Sequence, residues 1–364
     1  MIDLDLEVNT YRKDDRMEVL KFKPIYKKKI WGGRKLATKF NRQIPDGNVG
    51  ESWELAAHNH GSSTIANGQY QGQELMEVVA EEGRNLLGTA ISEAAFDKFP
   101  LLIKFLDIND KLSVQVHPDD EYAQEHTAGE LGKTEMWYIM AAEEDAKLIY
   151  GIDSEVSKEE FAEAIAEGEL HQHLEELSVE TGDVVFIPSG TVHSTLGGVL
   201  IAEIQQNSDT TYRVYDWNRV GDDGKPRDLH IESALDVIDF GSKPRDKVEG
   251  LTIEGAGYTR ELQVACPYFI TETLDITTSY QSQANGERFY VLMGLEGTAT
   301  IDYETGSTEL SSGETALIPA DLGEYEIKGD CKIISSYIKD IEELKAELQA
   351  KGYSKNDIAK IAGL

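Results

Sequence analysis

The segment ETGDVVFIPSGTVHSTLGG (180–198) can be laid over SSGETALIPADLGEYEIKG (311–329). Gly182-Asp183 then meets Gly313-Glu314, and Ile187-Pro188 meets Ile318-Pro319. Upstream, TEMWYIM (134–140) pairs with GERFYVL (286–292). Each copy has a glycine-acid turn, a short apolar strand stopped at Ile-Pro, where proline supplies no ladder donor, and a further turn. A unit of this kind used twice predicts a mainly β chain built from two small barrels of one design. Other strand-like runs punctuated by Gly, Pro, Asp and Asn, among them AKLIYGI, VLIAEIQQ and TATIDYETG, suggest antiparallel barrels or sandwiches. Helical patterns are fewer: GQELMEVVAEEGRNLLG, then SKEEFAEAIAEGELHQHLEEL with Ser157 placed as an N-cap. The end, DIEELKAELQAKGYSKNDIAKIAGL, reads as one helix closed by Gly352 and a second short one.

With 364 residues the chain is long enough for two domains or one large one, with ample material for a buried core. A formal charge of −32 argues against nucleic acid, whose phosphates need Lys and Arg. The charged opening MIDLDLEVNTYRKDDRMEVL does not resemble a signal peptide, and no apolar run approaches membrane-spanning length, so a cytoplasmic protein with no membrane partner is expected. Cys266 and Cys331 form no metal or redox motif. From Val19 to Pro45 the chain carries nine Lys or Arg and no acid. That stretch is either a solvated face complementing an acidic remainder or a local field that helps hold an anion.

The two copies differ where chemistry would sit. In KLSVQVHPDD (111–120) strand alternation sets Ser113, Gln115 and His117 on one face, opposite Leu112, Val114 and Val116. The first copy adds Glu135 and His193. The second copy has Glu324 opposite His193, and no histidine follows His230. Two imidazoles, a carboxylate and an amide oxygen suit a divalent transition metal with an open position. An isolated histidine is more often a core or surface residue; what singles these out is their joint presence in one copy and absence from the other. HNH (58–60) reads as an accident of a polar loop, and HQH (171–173) lies in a helical pattern where i and i+2 diverge. TAGELGKT fails as a P-loop because Thr127 replaces the first glycine and a strand follows. Arg213 stands among Tyr212, Tyr215 and Trp217. It could pair with Asp216 or Glu203, or offer planar donors to an anionic substrate.

At WGG, VGESWELAAH, FPLLIKFLD, LSVQVHPDDEYA, GELGKTEMWYI, GDVVFIPSGTVH and EIQQNSDTTYRVYDWNR, which cover most of residues 21–240, the chain resembles the type I mannose-6-phosphate isomerases. These are the zinc-dependent phosphomannose isomerases of the cupin superfamily, here in their short bacterial form. The resemblance implies two cupin-type jelly-roll β-barrels with a few inserted helices and a helical C-terminal tail. The expected divisions are an extension at 1–20, a catalytic cupin domain at 21–240 with a helical insert near 154–177, a metal-free cupin-like domain at 241–339, and a tail at 340–364. It also implies one zinc held by His117, Glu135 and His193 with Gln115 as fourth ligand, Arg213 and Lys133 as catalytic residues, and Lys104 with Arg213 in substrate binding. The implied reaction interconverts mannose 6-phosphate and fructose 6-phosphate through an enediol. Its oxygens gain charge that zinc and Arg213 can stabilise, and the amine of Lys133 is suited to the proton shuttle. A metal-dependent cupin oxygenase and a non-catalytic sugar-phosphate-binding cupin are the alternatives.

Overall fold

A computed structural model of the chain describes residues 16–92, 97–221, 224–242 and 246–364. The fold is mainly β, with short helices between strands and at the C-terminus. In the first half, a six-stranded sheet runs in the spatial order Val184–Ile187, Glu135–Ala142, Val199–Gln206, Leu101–Ile108, Ile25–Gly33, Val49–Leu55. It faces a five-stranded sheet ordered Leu174–Ser178, Lys147–Ile152, His193–Thr195, Val114–Val116, Tyr212–Tyr215. Trp137, Ile139, Val199, Ile201, Leu106 and Ile108 from the first sheet meet Leu148 and Tyr150 from the second, forming the interior between the two sheets.

The other face of the six-stranded sheet is buried as well. Met136, Tyr138, Met140, Leu200, Ala202, Ile204, Ile103 and Phe105 pack with Val291, Met293, Leu295, Leu317 and Ile334 of the second half in one shared core. Burial on both faces explains why LLIKFLDI and VLIAEIQQ are buried at every position rather than every other one. Any polar residue in them must therefore be partnered inside.

The second half repeats the strand order. Thr315–Ile318, Tyr290–Tyr303, Cys331–Tyr337, Ile270–Ile276 and Tyr258–Ala265 correspond in order to the five strands of the six-stranded sheet other than Ile25–Gly33. Gly182 and Gly313 both sit at positive φ, +99° and +82°, which is the physical reason for the glycine in each glycine-acid turn. Pairing register corrects the residue-by-residue match, however. Ile187 faces Glu135, whereas Ile318 faces Tyr290, so the counterpart of Glu135 is Tyr290 and not Glu287. Glu324 is exposed opposite Gln283, and Tyr325, one residue on, is the inward side chain opposite Ser282. A slip of one residue exchanges the faces of a strand.

Other elements follow local signals. Ser157 caps the Lys158–Glu167 helix in a capping box with Glu160. That helix ends at Gly168 in the left-handed region, and Leu174–Ser178, expected to continue as helix, is an edge strand on Lys147–Ile152. Residues 1–15 lie outside the described range. Met17, Val19 and Leu20 are buried, and Leu20–Lys23 pairs with Thr315–Ile318 of the second half. The tail helix Ile341–Ala350 sets Leu344 and Leu348, with Ile358 and Ile361 beyond it, against Leu251, Leu262 and Tyr337.

Candidate active site

Strand register assembles the site. Val114–Val116 lies between His193–Thr195 and Tyr212–Tyr215, and Gln115 is directly opposite His193 on one side and Arg213 on the other. The three side chains therefore form a row across adjacent strands, about 4.8 Å apart from one to the next. The reverse face, with Val114, Val116 and Val214, is covered by Phe161 and Ala234 of the two helices Lys158–Glu167 and Ile231–Val237. The polar face of KLSVQVHPDD thus looks into the barrel. His117, two residues after Gln115, joins the same face, and Glu135 opens its strand in the facing sheet.

His117, Glu135 and His193 are fully buried, and their nearest ligand-type atoms lie within 4.8 Å of one another. Among the described residues this is the one cluster of three or more His, Cys, Asp or Glu so placed. His193 Nε2 is 3.2 Å from Glu135 Oε1, and His117 Nε2 is 3.7 Å from Oε2. Each Nδ1 lies against a backbone carbonyl, Thr210 O at 2.8 Å for His117 and Thr191 O at 2.9 Å for His193. Donation there puts the proton on Nδ1 and leaves both Nε2 lone pairs aimed at Glu135, the orientation a ligating histidine needs. Burial and the Lys133 ammonium push His117 well below the ordinary imidazole pKa. Burial would raise Glu135, but Lys133, His117 and His193 hold its carboxyl well below the usual range.

Lys133 Nζ is 2.9 Å from Glu135 Oε2 and 3.1 Å from His117 Nε2. Despite that ion pair, neither buried carboxylate oxygen of Glu135 accepts a hydrogen bond in good geometry. Two imidazoles and an ionised, under-satisfied carboxylate around a focus that already attracts an ammonium are a donor set fitted to a divalent cation. Gln115 Nε2 is 3.2 Å from His193 Nε2, so its amide borders the same focus.

The remaining expected residues are placed as follows. Lys104 is buried, 3.2 Å from Glu203 Oε2 and donating to Gln205 Oε1 at 2.8 Å. Burial alone would lower its pKa, but Glu203 and Glu51 raise it, so it stays charged. Arg213 is not in the ion pair weighed for it. Asp216 is taken by Arg219 and Arg227, and Glu203 by Lys104 and Trp137. Four of the nine basic residues of the stretch are ion-paired, as Lys21–Glu314, Lys29–Glu51, Lys35–Glu143 and Arg42–Glu54. In HNH, His58 Nε2 lies 3.1 Å from Glu130, and His60 Nδ1 2.9 Å from Asp209. Asp209 is kept low, against its burial, by Lys104, His60 and Lys133, which ties this cluster to the site.

Fold and site together define a mainly β protein of cupin type with, among the described residues, one buried His-Glu-His cluster in its first half. Residues 19–171 match the phosphomannose isomerase type I catalytic domain, and residues 259–338 the mannose-6-phosphate isomerase cupin domain. The chain is 41% identical over 311 residues to the mannose-6-phosphate isomerase of Streptococcus mutans, covering 85% of this chain and 95% of that protein. It is 40% identical over 322 residues to the mannose-6-phosphate isomerase ManA of Bacillus subtilis, covering 88% and 99%. The crystal structure of the mannose 6-phosphate isomerase from Bacillus subtilis superimposes with a TM-score of 0.82 at 38% identity, covering 88% of this chain and all of that one. The chain belongs to the type I phosphomannose isomerases.

Proposed function

We propose that the chain interconverts mannose 6-phosphate and fructose 6-phosphate, using one divalent metal ion, zinc in our reading, held by His117, Glu135 and His193 with Gln115 as fourth ligand. The observation that carries this is the convergence of two Nε2 lone pairs and an under-satisfied carboxylate, in a chain of this family. Bound there, the metal would supply Lewis-acid stabilisation of the charge that develops on the sugar oxygens.

The reaction moves one proton between C1 and C2 of the opened sugar, through an enediol, while a second proton is exchanged between the two oxygens. Lys133 Nζ, buried at the centre of the site, is the group we assign to carry the carbon-bound proton. Arg213 faces the same interior from its place opposite Gln115 and supplies paired donors to the enediol oxygens. Lys104 uses two of its three N–H groups on Glu203 and Gln205, and we assign the third to the substrate. The first barrel, residues 21–240 in this proposal, carries all of these groups. The second holds tyrosines at the corresponding inward positions and serves as its packing partner.

A coupled assay of fructose 6-phosphate formed from mannose 6-phosphate tests the reading. Turnover that disappears on chelation and returns with zinc is expected. Ligand binding without turnover would favour a sugar-phosphate sensor, and oxygen consumption with iron bound would favour an oxygenase.

A further inference from the structure

Arg213 lies on an edge strand: Tyr212–Tyr215 closes one side of the five-stranded sheet, paired only with Val114–Val116. On its outer side the Arg213 N–H and C=O would face no ladder partner, and an edge of this kind frays readily. His230 fills both places. Its own N–H donates to Arg213 O at 2.8 Å, and the Arg213 N–H donates to His230 Nδ1 at 3.2 Å. Two residues earlier, Asp228 O accepts from Arg213 Nε at 3.2 Å. Residues 228 and 230 thus occupy both main-chain groups of Arg213 and one side-chain donor. The two Nη groups are left without a carboxylate within ion-pair distance among the described residues.

The segment that makes these bonds is itself fixed at both ends. Arg227 Nε donates to Asp216 Oδ2 at 2.8 Å, and Arg219 Nη2 holds the other oxygen of Asp216 at 2.7 Å. On the far side, His230 is the N-cap residue of the Ile231–Val237 helix, with its carbonyl accepting from Ala234 N at 2.8 Å. Accepting at Nδ1 requires the neutral ring with its proton on Nε2. Burial and the neighbouring Arg213 lower the His230 pKa, which favours that form, while Asp228 acts in the opposite direction.

We propose that His230 is a positioning residue for Arg213: it stands in for a missing neighbouring strand, fixes the Arg213 backbone in register with Gln115, and so aims the free end of the guanidinium at the substrate. This rests on the assignment of Arg213 to the reaction. Removing the acceptor lets the edge strand shift without touching the metal ligands, and displacement of a catalytic group by about 1 Å costs on the order of 100-fold.

The test compares wild type, His230→Ala, His230→Asn and Arg213→Ala for kcat, KM, bound metal and melting temperature. Asparagine places an oxygen acceptor near the position of Nδ1 and is well suited to an N-cap. His230→Ala should lose between about 10- and 100-fold in kcat with metal content unchanged and KM moved far less. His230→Asn should recover most of that loss. A His230→Ala enzyme within two-fold of wild type in kcat overturns the proposal, and so does a His230→Asn enzyme that folds and is as slow as His230→Ala. If Arg213→Ala is slow while His230→Ala is normal, only the positioning role falls. If Arg213→Ala keeps full kcat, the parent assignment fails and takes this one with it.

Discussion

Arg213 can be removed with little structural debt, which makes its substitution a clean probe of chemistry. Among the described residues its guanidinium makes one hydrogen bond to the protein, Nε to Asp228 O at 3.2 Å, and that acceptor lies on an exposed stretch of chain that water can reach. Loss of one such bond costs about 1 kcal/mol. Among the described residues no carboxylate is stranded, since Asp216 keeps Arg219 and Arg227. If the Nη groups instead stabilise charge on the enediol oxygens, removing them costs about 2.7 to 4 kcal/mol in the transition state, or 10² to 10³ in kcat. Arg213→Ala should therefore fold, retain its metal, melt close to wild type and turn over 10² to 10³ more slowly, that range being the one typical of a lost oxyanion donor. Arg213→Lys should recover little, because an ammonium can neither reach Asp228 O in the same way nor address two oxygens with a planar fork. The coupled assay run with metal analysis and a thermal melt separates the outcomes. A near-normal kcat with a greatly raised KM would refute transition-state stabilisation and make Arg213 a phosphate anchor. A large drop in melting temperature would refute the claim that it carries no structural load.

The metal centre predicts that His117→Ala and His193→Ala each lose bound metal and activity together, measured by elemental analysis; two tightly held zinc ions per chain would contradict a single site. Arg260→Ala in the second barrel strands Glu272, which is 3% exposed and has Arg260 as its ion-pair partner, so it should destabilise the chain by about 3–5 kcal/mol in denaturant titration. Its metal content should stay at the wild-type level, and metal loss from the folded variant would mean the second barrel shapes the site. With a net charge of −32, long-range repulsion of a phosphorylated sugar should weaken on screening, so moderate salt should leave kcat/KM unchanged or raise it. A steep fall would show that attraction by the site's own cations dominates.

What could be read from sequence was local in origin. Alternation in LSVQVH fixes that Gln115 and His117 share a face, and Ser157 with Glu160 announces a helix start. The contacts of HNH were hidden because His58 and His60 find their acids 72 and 149 residues away, at Glu130 and Asp209, and no local pattern encodes such contacts. The clasp on Arg213 was hidden for a different reason: an N–H accepted by a ring nitrogen 17 residues on leaves no periodic trace.

The repeat itself was visible, but its register was not. Matching Glu135 to Glu287 by letter ignores the constraint both copies obey, which is that each must turn the same strand face toward the core they share. Once that face is fixed by Met136 and Tyr138 in one copy and Val291 and Met293 in the other, Trp137 corresponds to Leu292, and the ladders carry the match across the sheet. Glu203, opposite Trp137, corresponds to Ser335, and Lys104 to Glu272. One strand further, Glu51 opposite Leu106 corresponds to Arg260 opposite Leu274. The buried cation of the first barrel, with Glu51 contributing to its charge, is thus replaced in the second by a buried anion bonded to an arginine. Reversing the sign at Lys104 removes the cation that we propose meets the phosphorylated sugar, while Arg260 and Glu272 still satisfy each other inside the sheet. The second barrel keeps the packing of the first and has exchanged its polar interior for a closed ion pair and tyrosines.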